Sequence, residues 1–172
     1  EDYTVVISEG QWTGLAPQWD IRDNWTSGRI PLATDDVIIP SKPAIGVFFP
    51  VITDDRAVNN VTIESDARLT LKPGAKVTIH GDLVIEKPGG LILESKVGPN
   101  GLASLLTEGS VSGEANVKLD IEGGRWYYLS SAVKTPTFAQ LGAADSPFDF
   151  RIDIYRKARW ISIYPQNGTS KL

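Results

Sequence analysis

Residues 61 to 93, VTIESDARLTLKPGAKVTIHGDLVIEKPGGLIL, write one short phrase repeatedly: two aliphatic residues one position apart, then a turn. Val61/Ile63, Leu69/Leu71, Val77/Ile79, Leu83/Ile85 and Leu91/Leu93 each have period 2, so both members of a pair face one side of a short strand. Val37/Ile39 precede this run and Val117/Leu119/Ile121 follow it. Between pairs sit Ser65-Asp66, Pro73-Gly74, His80-Gly81-Asp82, Pro88-Gly89-Gly90 and Pro99-Asn100-Gly101, all turn formers. No helix separates the strands.

The second-order spacing selects the architecture. Val61 to Leu83, Leu69 to Leu91 and Leu83 to Leu105 are each 22 residues apart, and Val37 to Val61 are 24 apart. Three strands per repeat of about 22 residues predict one coil of a right-handed parallel β-helix, in which aliphatic residues stack on the coil above. One buried Leu or Ile contributes roughly 1.5–3 kcal/mol, so only stacked coils offset the ordering of the chain. An antiparallel sandwich also spaces short strands every 8–12 residues. The tight His80-Gly81-Asp82 turn, between strands only six residues apart, favours the helix. Thr62, Thr70 and Thr78 then fall on three successive sides of one coil, which argues against the flat threonine array of an ice-binding surface.

These spacings predict an all-β chain in three zones forming one structural domain. Residues 1–36 hold a strand at Tyr3–Ile7 and a Trp/Gly-rich cap, residues 37–121 about four coils, and residues 122–172 a second cap. The last zone contains the aromatic run Trp126-Tyr127-Tyr128, one or two helical turns capped by Thr135 or Thr137, and a hairpin of Phe150–Tyr155 with Trp160–Tyr164. A solenoid needs its open ends covered, and the caps are expected to do this. The segment Val47-Phe48-Phe49-Pro50-Val51 reads as core or as a loop covering a coil.

Composition narrows function mainly by exclusion. A net charge of −4 argues against nucleic acid as a partner, and Arg151, Arg156, Lys157 and Arg159 read as a solvated turn. There is no cysteine, hence no disulfide framework or thiolate metal site. No run of 18 apolar residues predicts a membrane span. A start at Glu1 and the absence of methionine read as a mature or excised segment of a longer protein.

The phrases NWTSGRIPLATDDVIIP and VNNVTIESDARLTLKPGAKVTIHGDLVI resemble a pattern of large secreted surface proteins of Bacteroidetes-type bacteria: N-W-x-x-G-x-x-P, D-D-V-x-I-P, then a ladder of strands. A similar opening begins the extracellular domain named for its eight glycines. RWYYLSSAV resembles the W-x-x-[LI]-S-S-P-V phrase of the same proteins, with Ala132 in place of the proline. The resemblance spans roughly residues 20 to 133 and its motifs are structural. It implies export to the cell surface or beyond, flanking domains in a larger protein, and a role as an adhesin or polysaccharide-processing module.

Candidate chemistry is sparse. His80 is the only histidine and reads as a turn residue. Asp35, Asp36, Asp54 and Asp55 are the metal candidates, with calcium the cofactor such acids suit; Asp20-x-x-Asp23-Asn24 invites the same reading. None matches a calcium-loop signature, and Asp is also a turn residue. A polysaccharide lyase or glycosidase of β-helix type is the catalytic alternative, with Arg68, Lys72 or Lys76 as base. No paired acid–base constellation supports it, so the expected function is non-catalytic: adhesion, glycan binding or spacing. Five tryptophans are the strongest remaining signal. Trp25 and Trp126 read as end seals. Trp12 and Trp19, beside Gln18 and Asp20, read as the rings on which a glycan or other cell-surface ligand would stack.

Overall fold

A computed structural model describes residues 10–99, 101–120, 152–156 and 159–163. They belong to two compact units, Glu1–Arg125 and Trp126–Leu172. The Tyr3–Ile7 strand, the Trp126–Tyr128 aromatics and the helical turns near Thr135 and Thr137 lie outside the described residues.

The first unit is a parallel β-solenoid of about four turns. Its strands are β1 (Gly10–Gln11), β2 (Val37–Ile39), β3 (Val51–Ile52), β4 (Arg56–Val58), β5 (Val61–Ile63), β6 (Leu69–Leu71), β7 (Lys76–Ile79), β8 (Leu83–Ile85), β9 (Leu91–Leu93), β10 (Ser104–Thr107), β11 (Val111–Ser112) and β12 (Ala115–Val117). The chain visits three sheets in rotation. The first is β1-β2-β5-β8-β11, the second β3-β6-β9-β12 and the third β4-β7-β10. Every pairing within them is parallel.

Register turns the aliphatic pairs into columns. Val37, Val61 and Leu83 align on successive coils, as do Ile39, Ile63 and Ile85. Leu69 lies beside Leu91 and Leu71 beside Leu93. Nearly all of these side chains are buried, while Ile38, Thr62 and Val84 between them are more exposed. Period 2 therefore does what the sequence predicts: one set of positions fills the core and the other faces outward. Thr62, Thr70 and Thr78 do occupy three different sheets, on β5, β6 and β7.

The 22-residue spacing holds for two of the three intervals assigned to it. Leu105 does not stack on Leu83; it pairs with Val77, 28 residues earlier, and Leu83 pairs with Val111, also 28 residues away. The cause is a longer connection between β9 and β10. There Lys96 N–H donates to the Gly101 carbonyl at 2.7 Å and Ala103 N–H to the Glu94 carbonyl at 3.0 Å, enclosing a loop that adds six residues to that coil.

Side chains lock the corners. Leading into the first sheet, Asp36 Oδ1 accepts from Asn59 Nδ2 and Asn60 Nδ2, both at 2.8 Å. One coil on, Asn60 Oδ1 accepts from the Asp82 backbone N–H at 2.7 Å. Asp82 Oδ1 then accepts from the Ser110 N–H at 2.7 Å and its hydroxyl at 2.8 Å. Asp36, Asn60, Asp82 and Ser110 thus form a hydrogen-bonded ladder parallel to the solenoid axis. It works only where backbones approach closely: a Cβ on Gly81 would meet Asn60 Oδ1 at 2.1 Å. At the next corner Glu64 Oε2 accepts from the Ser41 N–H at 2.9 Å, and Glu86 repeats the contact with Ser65 at 2.9 Å.

In the second unit β13 (Ile152–Arg156) pairs antiparallel with β14 (Arg159–Ile163), with Tyr155 opposite Trp160. This is the predicted hairpin; Phe150 and Tyr164, its expected outer ends, lie outside the described residues.

Candidate functional site

Residues 10–36 fold over the first coil around three indoles. Trp12, Trp19 and Trp25 are each at most 2% exposed. Trp12 meets Trp25 edge-on at 5.0 Å between ring centroids, and Trp19 meets Trp25 the same way at 4.5 Å. Such contacts add about 0.5–1.5 kcal/mol each beyond area burial. Asn24, fully buried, organises the loop: its Nδ2 donates to the Gln18 carbonyl at 2.7 Å and its Oδ1 accepts from the Ala16 N–H at 2.8 Å.

This packing corrects the ring-stacking reading of Trp12 and Trp19. A sugar cannot stack on Trp12 or Trp19 when the two residues are 0% and 2% exposed. Trp12 is committed further, since its Nε1 donates to the Phe48 carbonyl at 2.7 Å. Trp25 is buried as well, with Nε1 donating to the Trp19 carbonyl at 2.9 Å. The 47–51 segment is mostly loop: Val47 and Phe48 are exposed, Phe49 packs against the core, and Val51 starts β3.

Trp19 differs from the other two. Its Nε1 is buried with no hydrogen-bond partner among the described residues, and Arg56 Nε is in the same condition. An unpaired buried donor costs about 1–3 kcal/mol, so two in one place call for an explanation. Both side chains line one cleft of about 210 Å³, with Gln18, Asp20, Thr53 and Asp54 also on its walls. Two chain segments build it. Residues 17–20 are fixed by the Val51 N–H, which donates to the Pro17 carbonyl at 2.8 Å, and residues 51–56 carry β3 into β4. Gln18, Asp20, Thr53 and Asp54 are exposed, and the Arg56 guanidinium pairs with Asp54 through Nη2 at 2.7 Å.

The structure therefore brings Gln18, Trp19, Asp20 and Asp54 together and leaves out Trp12, Asp35, Asp36 and Asp55. Asp35 is held elsewhere by the Arg29 guanidinium, with Nη2 donating to Oδ1 at 2.7 Å, and by the Leu32 N–H at 2.7 Å. The Arg29 hydrogen bond is the main cause that holds the Asp35 carboxyl below its ordinary pKa. Asp36 belongs to the corner ladder. Among the described residues no three His, Asp or Glu side chains converge as a metal site requires. Arg56 was not legible as a site residue: nothing in RAV distinguishes it from any strand-end arginine until β4 is placed beside Trp19.

Lys72, a candidate base, is occupied. Its Nζ donates to Glu94 at 2.7 Å, and this bond leads in pulling the Glu94 carboxyl below its usual range.

A family described as a domain of unknown function (DUF8693) matches residues 11–161. The chain belongs to it. A further relative is the minor fimbrium subunit Mfa5 of Porphyromonas gingivalis, 27% identical over 100 residues. That match takes in 54% of this chain and 8% of the subunit, so the chain corresponds to a small part of that protein. No solved structure matches the chain.

Proposed function

We propose that this chain is a non-catalytic, surface-displayed module of a larger exported bacterial protein, serving adhesion by holding its loops on a stiff solenoid. The similarity to a fimbrium subunit carries this reading, because it joins the fold to a protein of the cell surface. The architecture supports it. Parallel coils tied by core columns and by the Asp36–Asn60–Asp82–Ser110 ladder resist bending, as a spacer must. The carboxylates with the clearest bonding also favour a structural role. Asp35, Asp82 and Glu94 are all pulled downward in pKa by donors, whereas a glycosidase general acid is pushed upward.

The test is an in-frame deletion of this segment from the protein that carries it. Antibody labelling of intact cells should still find the parent at the surface, while attachment of those cells to their substratum falls. Unchanged attachment with normal display contradicts the adhesive role. Release of reducing sugar from polysaccharides by the purified chain contradicts the non-catalytic one.

A further inference from the structure

The corner between β2 and β3 departs from the pattern of the solenoid. It takes residues 40–50, whereas the same corner takes only residues 64–68 and 86–90 on the next two coils. The longer connection carries Ile45, Val47 and Phe48, which are 65%, 82% and 49% exposed. Leu15, whose backbone lies against Gly46, is exposed beside them. An apolar side chain left in water gains none of the burial that stabilises a fold, so a cluster of four points to a contact outside the chain.

The exposure does not come from loose packing. Ile45 N–H and Gly46 N–H donate to the Thr13 carbonyl at 2.9 and 3.0 Å, and Phe48 N–H donates to the Gly14 carbonyl at 3.2 Å. The Phe48 carbonyl accepts from Trp12 Nε1 at 2.7 Å. The loop backbone is thus tied to residues 12–14 while its apolar side chains stay in solvent.

A protein partner fits this surface poorly. Stable protein interfaces engage about 20–30 residues a side and form about one hydrogen bond per 100–200 Å². Here four apolar residues are exposed together, and from Pro43 to Ile52 no side chain carries a hydrogen-bonding group. A second copy fits no better, since each chain carries a net charge of −4. Lipid asks for the opposite combination: apolar side chains on a backbone whose polar groups are already paired, because hydrocarbon offers no partners. The bonded N–H groups of Ile45, Gly46 and Phe48 and the Phe48 carbonyl meet that condition. Charge agrees. Lys42 is the only charged residue from Val37 to Thr53, and residues 10–19 hold none. A lysine at the foot of an apolar loop suits a phosphate layer, and no carboxylate is carried toward the hydrocarbon.

We infer that the 44–48 loop, flanked by Leu15, inserts shallowly into a phospholipid bilayer and anchors the first-coil end of the solenoid there. The depth is the roughly 5–10 Å of an interfacial contact and not a span. The inference goes beyond the surface-module reading and does not rest on it, because vesicles of pure lipid contain no other component of a cell.

The experiment is flotation of the full chain with vesicles of mixed phosphatidylcholine and phosphatidylglycerol. The chain should rise with the vesicles, saturably with lipid. Val47→Asp removes a side chain that the fold leaves in solvent, so its melting temperature should be unchanged while its partitioning falls at least about tenfold. A second arm uses the absence of cysteine. An environment-sensitive fluorophore (nitrobenzoxadiazole) on Val47→Cys should shift to the blue when vesicles are added. The same label on Val111→Cys, at an exposed position on the last described coil, should not. The inference is overturned if the chain stays in the buffer, if Val47→Asp floats as well as the native chain, or if both labels respond alike. Self-association that Val47→Asp abolishes, without flotation, would overturn it in favour of a second copy.

Discussion

Asn60 and Asp82 lie 22 positions apart in sequence and one coil apart in space, and Asn60 Oδ1 accepts the Asp82 backbone N–H at 2.7 Å. An asparagine is needed there because the same side chain must also donate, through Nδ2, to Asp36 on the coil before. Aspartate could accept but not donate.

Breaking this ladder should cost more by crowding than by deletion. Asn60→Ala removes one acceptor and one donor and should lower stability by about 1 kcal/mol. Gly81→Ala drives a Cβ to 2.1 Å from Asn60 Oδ1 and 3.2 Å from the Asn59 carbonyl, and should cost about 2–3 kcal/mol. Urea midpoints at unchanged slope check both values.

Core position should dominate chemistry along the columns. Ile63 is fully buried between Ile39 and Ile85, so Ile63→Ala should cost about 2–5 kcal/mol. Val117, in register with Leu93 but half exposed on the last described coil, should lose under about 1 kcal/mol on the same change. Equal losses in thermal unfolding would contradict the burial gradient.

Acid should weaken the solenoid within a narrow range. The Ser110 N–H, then its hydroxyl, holds the Asp82 carboxyl below its ordinary value of 3.8; Lys72 does the same for Glu94, below 4.5. A depressed carboxyl pKa contributes stability above the unfolded value and loses it as pH falls through the folded one. Stability should therefore hold down to about pH 5 and fall below it. Asp82→Asn, which cannot titrate, should lose less between about pH 5 and pH 3 than the native chain. Parallel pH profiles of the two chains would reveal a missing Asp82 contribution.

Calcium should leave the melting temperature unmoved. Asp35 is bonded to Arg29 and Leu32, and Asp36 to Asn59 and Asn60, so neither offers a free carboxylate. A rise with calcium, reversed by chelator, would contradict this.

Much of the fold was legible because core columns demand aliphatic residues at fixed intervals. Val61 and Leu83 are 22 apart and do align, since the corners between them are short and uniform. Leu83 and Leu105 are also 22 apart and do not, because the loop before β10 shifts the phase while leaving the local alternation intact. Spacing reports strand period but not which sheet a strand joins. β3 and β4 were hidden for a related reason. Val51–Ile52 and Arg56–Val58 are too short to show alternation and are recognisable only beside β6 and β7. The site was legible in part. Polar neighbours pointed to Trp19, Gln18 and Asp20, but composition does not reveal which indole is walled in by others or which N–H is left unpaired.

The most direct measurement is cysteine cross-linking, clean because the chain has no cysteine of its own. Thr62 and Val84 are in register on adjacent parallel strands, whereas Thr62 and Thr78 belong to different sheets. Bridging needs Cα atoms about 4.4–6.8 Å apart. Under mild oxidation, Thr62→Cys with Val84→Cys should close an intramolecular disulfide, and Thr62→Cys with Thr78→Cys should stay reduced. Closure of the second pair and not the first would mean that neighbouring segments fold back on one another, and the solenoid would be wrong.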